Sequence, residues 1–179
     1  MQIKGYFQPQ QAREVAEAFA RHKIDYMFIG KSGAILLGYP STTQDVDLFP
    51  KKSEENCRRL ILALADIGFK LSDKTKEQIM LGIDFVQIND DPFDLDLVFA
   101  PDGIESFEQA EKRMIIFEDF HIANLQDIIA SKRAAGREKD LADLPLLEDF
   151  RIEYENVNRK ELRTSVKIAL EKVKEVKDK

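Results

Sequence analysis

Asp45 and Asp47 stand two residues apart in the run Gln44-Asp45-Val46-Asp47-Leu48-Phe49. Side chains alternate across a strand, so a strand here puts both carboxylates on one face and buries Val46 and Leu48 on the other. Carboxylates held that close repel, and one resists ionisation unless a hard divalent cation neutralises both. Magnesium is the simplest such ion. An Asp-x-Asp pair also decorates many solvated strand edges, so the residues just upstream carry weight. Phe28-Ile29-Gly30-Lys31-Ser32-Gly33 reads as strand, glycine turn and the start of a short apolar helix. Gly30 and Gly33 allow the backbone to approach a ligand closely. Ser32 offers a hydroxyl at a helix N-terminus, where free N–H groups and the helix dipole favour phosphate.

A third acid comes from Phe93 to Phe99, where Phe93, Leu95, Leu97 and Phe99 take one face of a strand and Asp94 and Asp96 the other. If this strand neighbours the first, Asp96 or Asp94 completes a carboxylate cluster around one or two cations. Periodicity alone does not choose between them. Lys132 lies on the same helical face as Leu125, Ile128 and Ile129, so it must either snorkel to water or reach a buried negative group.

The elements that position these residues follow from pattern and punctuation. A helix is expected from about Gln10 to His22, with Ala12, Val15, Ala16 and Phe19 on one face, and a buried strand from Ile24 to Ile29. Ser53 caps a helix reaching about Asp66, which Gly68 ends. Lys70 to Gln78 is polar and carries no clear pattern, and Ile79 to Ile88 reads as extended. Asn89-Asp90-Asp91-Pro92 is a turn joining that strand to the next as a hairpin. Ser106 to Lys112 reads as a short helix, and Met114 to Ala123 as a small hairpin turning at Glu118-Asp119. Asn124 caps the helix that carries Lys132, and Gly136 closes it. A further helix is expected around Pro145 to Phe150, capped by Asp140 or Asp143. Over Glu161 to Lys177, Leu162, Val166, Ala169, Val173 and Val176 form a heptad-like stripe that needs a partner surface, on its own domain or on another subunit.

The 179 residues contain 44% hydrophobic residues and no long apolar run, as expected of a globular protein with no membrane span. Met1 to Phe7 has neither the charged start nor the apolar stretch of an export signal, which predicts a cytoplasmic protein. Cys57 cannot form an internal disulfide and falls in line with Leu60, Ile61 and Leu64, as a small buried hydrophobe does. With two histidines, a His/Cys zinc site has too few ligands. The formal charge of −6 argues against coating nucleic acid by bulk electrostatics. Arg159 to Lys179 holds eight Lys and Arg against four Asp and Glu, a net +4 beside a body near −10.

Gly30-Lys31-Ser32, Asp45-Val46-Asp47-Leu48 and Leu95-Asp96-Leu97 resemble the DNA polymerase beta-like nucleotidyltransferase superfamily. The run from Ser106 through Ile128-Ile129-Ala130-Ser131-Lys132 to Lys139-Asp140 is similar to its small bacterial branch, akin to minimal nucleotidyltransferases and abortive-infection toxin enzymes. The resemblance covers roughly Asp25 to Phe150. It implies an α/β (α+β) nucleotidyltransferase-like domain over residues 1–158, a short mixed sheet flanked by helices. Residues 159–179 then form a C-terminal helix packing on that domain or on a second subunit.

The resemblance further implies Asp45, Asp47 and Asp96 as catalytic residues and Mg2+ ligands, with Asp96 matching the third acid that helps activate the attacking hydroxyl. Gly30, Lys31, Ser32 and Thr43 match the region that binds the nucleoside triphosphate, and Lys132 is expected to contact it. The implied reaction moves a nucleoside monophosphate to a hydroxyl on a small molecule, a protein or an RNA end. Lys31 stands where the family has Gly or Ser, and Ser41 where a basic residue is frequent. These departures frame the competing expectation, a catalytically inactive nucleotide- or protein-binding module on the same fold. A sugar-nucleotide glycosyltransferase would also use Asp-x-Asp and a metal, but would leave Asp96 unexplained.

Overall fold

The computed structural model describes residues 5–89 and 91–177, with side chains as far as residue 174. Met1 to Lys4, Asp90 of the expected turn and the side chain of Val176 in the expected stripe lie outside the described residues. The elements run α1 (Pro9–Arg21), β1 (Tyr26–Phe28), α2 (Gly30–Leu36), β2 (Val46–Pro50), α3 (Glu54–Ile67), α4 (Asp73–Leu81), β3 (Phe85–Ile88), β4 (Leu95–Val98), α5 (Phe107–Glu111), β5 (Ile115–Phe117), β6 (Phe120–Ile122), α6 (Leu125–Ala135) and α7 (Glu138–Lys177). The class is α/β, as expected, with a mixed six-stranded sheet in the order β3-β4-β2-β1-β6-β5. β2 pairs antiparallel with β1 and parallel with β4, and β3 and β4 form the expected antiparallel hairpin.

Local chemistry fixes many boundaries. The Ser53 hydroxyl accepts from the Asn56 N–H and the Asn124 side chain from the Asp127 N–H, each cap contributing about 1 kcal/mol. Gly68 and Gly136 end their helices with φ of 111° and 63°, a region that side chains with a Cβ avoid. Glu118 and Asp119 take positive φ at the tip of the β5–β6 hairpin, where the sequence places the turn. α1, α3 and α4 pack as one connected group of helices, and α2, α6 and α7 as another. Between them lie fully buried Phe28, Met27, Leu48, Leu95 and Leu97. Each such side chain contributes about 1.5–3 kcal/mol of burial.

Two expectations are corrected. The patternless stretch and the first residues of the run expected as extended form helix α4, capped by Ser72 and closed by Gly82, while the rest of that run holds β3 (Phe85–Ile88). Only Ile79 of this helix is buried, so it offers almost no apolar periodicity to read. The helix expected around Pro145 and the separate C-terminal one are a single α7. Pro145 lacks the N–H that would bond the carbonyl of Leu141, and Leu141 lies on an exposed part of the helix where water can take that bond. Asp140 and Asp143 are therefore not caps; they lie inside the helix. Beyond Tyr154 and Glu155 the described side chains of α7 are exposed, Leu162, Val166 and Val173 included.

Candidate functional site

Parallel pairing of β2 with β4 sets Asp47 opposite Asp96 in register, with Val46 opposite Leu95 and Leu48 opposite Leu97. Register partners on neighbouring strands project to the same side, so the two carboxylates share one face while their apolar neighbours fill the core on the other. Asp45, just before β2, adds its charge to the same group. Burial, then the charges of Asp96 and Asp45, push the Asp47 carboxyl up to about 7, against the pull of Lys132 and Arg137. Burial also pushes Asp96 up to about 6, helped by Asp45 and Asp94 and opposed by a hydrogen bond from Gln87 and the charge of Lys139. Among the described residues Asp96 Oδ1 is a buried side-chain atom without a hydrogen-bond partner. Such an atom normally has one.

The α2 turn is built around Asp47. Gly30 has φ of +60°, and a Cβ there would lie 2.6 Å from Asp47 Oδ2, so glycine is required both by the backbone and by the carboxylate. The Ser32 hydroxyl donates to the Ile29 carbonyl (3.1 Å) and accepts from the Asp47 N–H (3.0 Å). Ser32 is fully buried and does not line the cavity. Its hydroxyl, expected to meet phosphate, holds the strand that carries Asp47.

Asp45, Asp47 and Asp96 open into a cavity of about 700 Å³ whose wall also includes Gly30, Lys31, Thr43 and Lys132. Of the eight site residues the resemblance implies, all but Ser32 thus meet in one place. Asp94 is not on that wall; its backbone carbonyl accepts from the Val46 N–H (3.0 Å), joining β4 to β2.

The same cavity is walled by cations from α2, α6, the α6–α7 corner and the start of α7. Lys132 does reach a buried negative group: its Nζ lies 3.2 Å from Asp140 Oδ1 and 3.7 Å from Asp143 Oδ2. Arg137 Nε donates to Asp140 Oδ2 at 2.6 Å, and Lys31 Nζ pairs with Asp143 Oδ2 at 2.8 Å. Burial raises the Asp140 carboxyl, but the hydrogen bonds from Arg137 and Lys132 outweigh it and hold the group below the usual carboxylate range. Arg137 and Asp143 have no individual signal in the sequence, because only the fold of α7 back onto α6 brings them to the cavity. Phe85 on β3 also lines it, and its sequence signal is only that of a residue in an extended run.

The arrangement joins hard oxygen donors, suited to divalent cations, to ammonium and guanidinium groups suited to a polyanion. Among the described residues no group of three or more His, Cys, Asp or Glu stands ready-made to hold a metal ion. No helix of the described residues is long and apolar enough to cross a membrane. The chain matches no family model and no curated protein.

Proposed function

We propose that the protein is a nucleotidyltransferase that moves a nucleoside monophosphate from a nucleoside triphosphate to a hydroxyl acceptor. The observation that carries this reading is the registered Asp47–Asp96 pair, with Asp45 beside it, lining one cavity together with Lys31, Lys132 and Arg137. The carboxylate chemistry fits Mg2+, and the unpartnered Asp96 oxygen and the raised Asp47 and Asp96 carboxyls are what an uncompensated cation site produces. Mg2+ is usually held by one or two carboxylates plus substrate phosphates and water, so it does not require a three-residue cage standing in the free protein. Asp45, Asp47 and Asp96 would hold it, and when bound it would neutralise charge on the transferred phosphoryl and leaving group.

The chain's own groups then have separate tasks. Lys31, Lys132 and Arg137 bind the phosphates, and Thr43 and the Gly30 turn border them. Asp96 takes the proton of the acceptor hydroxyl as its oxygen bonds to the α-phosphorus. The bond from that phosphorus to pyrophosphate breaks, and pyrophosphate leaves toward the cationic wall. This enzyme acts in the cytoplasm, and the exposed C-terminal half of α7 is its surface for a protein partner or a second copy.

A second reading, a catalytically inactive nucleotide- or protein-binding module, draws on the pairing of Lys31 with Asp143, which occupies the lysine with an internal carboxylate. Two measurements separate them. Calorimetry with ATP, with and without Mg2+, should show binding that depends on the metal and is lost in Asp45→Ala/Asp47→Ala. Incubation with α-labelled triphosphates should then give labelled acceptor; metal-dependent binding without transfer to any acceptor would favour the inactive module.

A further inference from the structure

The cavity has two chemically different sides. Its cations, Lys31, Lys132, Arg137 and Lys139, all come from α2, α6 and the α6–α7 corner. The β3–β4 side contributes none, and presents Phe85 and Val98 as register partners beside Asp84. Alternation places Phe85 on the same face as Gln87, and Gln87 lies opposite Asp96 in the β3–β4 ladder. Phe85 therefore sits one strand beyond Asp96 and one pleat along, with half its surface (51%) exposed. Among the described residues it is the aromatic residue of the cavity wall, and it takes no part in the ring-to-ring contacts that hold core aromatics such as Phe49 with Phe107 and Phe69 with Phe93.

An exposed phenyl ring on a cavity wall is a platform for a flat partner, because ring faces stack offset or edge to face over about 4.5–7 Å. In-line transfer puts the attacking oxygen and the leaving pyrophosphate on opposite sides of the α-phosphorus. With pyrophosphate drawn to the cationic wall, the attacking hydroxyl arrives from the Asp96 side, where Phe85 lies. Among the lining residues β3, β4 and their flanks offer Asp84 and no cation, and Lys139 of α7, whose charge reaches Asp96, is a single counter-charge where a phosphate backbone needs several.

Resting on the nucleotidyltransferase reading, we propose that Phe85 is the platform of the acceptor subsite, and that the acceptor is a small hydroxyl-bearing molecule with a flat ring, neutral or cationic rather than a nucleic-acid strand. The protein contains no tryptophan, so Phe85→Trp introduces a single fluorescent reporter in the subsite. In the full chain with Mg2+ and a non-hydrolysable ATP analogue, adenosine or tyramine is expected to change the emission of that indole saturably, while ribitol and a single-stranded RNA oligonucleotide leave it unchanged. Phe85→Ala and Phe85→Leu are expected to lower kcat/KM for the ring-bearing acceptor by about ten-fold or more, the scale of a lost stacking contact, with the calorimetric affinity for the ATP analogue unchanged. Emission that responds to the ATP analogue alone assigns the ring to the donor base and overturns the proposal. So does a response to RNA, or none to either ring-bearing probe. Absence of calorimetric binding of the ATP analogue would instead remove the nucleotidyltransferase reading, whatever the introduced indole reports.

Discussion

Asp47 and Asp96 are register partners on adjacent parallel strands, and both carboxyls hold their protons more tightly than a free aspartate. A free carboxyl of this kind titrates at about 3.9. Burial above all raises these two in the folded chain, to about 7 for Asp47 with the charges of Asp96 and Asp45 against Lys132 and Arg137, and to about 6 for Asp96 with Asp45 and Asp94 against Gln87 and Lys139. Because the folded state binds the protons better, the stability from this pair is fully present below the unfolded value and is lost as pH rises through about 6 to 7. The Tm of the wild type is thus expected to fall more between pH 4.5 and 8 than that of Asp47→Asn/Asp96→Asn. Added Mg2+ should raise the wild-type Tm at pH 8 and not at pH 4.5. Parallel Tm profiles for the two proteins would show that the carboxylates of the pair are not disfavoured by burial and neighbouring charge.

Asp96 lies in β4 and lines the cavity, whereas Asp94 lies just before that strand and does not. A step of two residues along a strand is about 6–7 Å, too far for both to serve one reacting centre equally. Asp96→Asn is expected to abolish transfer while sparing the fold and much of the triphosphate binding, with Asp94→Asn milder. Initial rates and circular dichroism decide it, and a more damaging Asp94→Asn would move the third acid by one pleat.

Ser32→Ala removes a hydroxyl that is bonded at both ends and wholly buried, leaving the Asp47 N–H unpaired. It should cost about 1–3 kcal/mol of stability in urea unfolding. A direct phosphate contact would instead show as weaker triphosphate binding with stability unchanged. Gly30→Ala forces φ of +60° on a residue with a Cβ and drives that Cβ into Asp47. It should lower kcat more than it lowers the affinity for triphosphate.

Asp140→Asn and Asp143→Asn should separate support from competition. Asp140 is 1% exposed between Lys132 and Arg137, so its loss leaves Lys132 under-compensated and should cost roughly 2–3 kcal/mol. Asp143 is partly exposed and sits on Lys31, where a phosphate would go. Asp143→Asn is expected to tighten ATP binding several-fold by calorimetry with little change in stability. Weaker binding would mean that Asp143 orients the lysine for phosphate.

The parts of this architecture visible in the sequence are those with local causes. Ser53 and Asn124 announce helices through their side-chain oxygens, Gly68 and Gly136 end them, and the alternation around Asp47 and Asp96 gives both strands and their polar faces. Lys132 was legible as a problem needing a partner, but Asp140 as the answer was not, because a pairing across the α6–α7 corner has no period. α4 escaped because it is amphipathic on the strength of one buried residue, Ile79. The parallel register of β2 with β4 depends on a long-range crossover, which alternation cannot specify.

α7 starts at the cavity and ends far from it. Asp140 and Asp143 are in its first two turns, and at 1.5 Å per residue its 40 residues extend about 60 Å. From Asn156 to Lys174 its side chains are exposed, so packing cannot carry a disturbance from that end back to the domain. The helix itself connects the two, a beam clamped from the wall that holds Lys31 and Lys132 as far as Phe150 and Tyr154, which pack on the core. From Asn156 to Lys177 the free arm is about 33 Å long, so a tilt of about 5° sweeps its tip through about 3 Å, and a grip on the tip is felt along the clamped turns as torque.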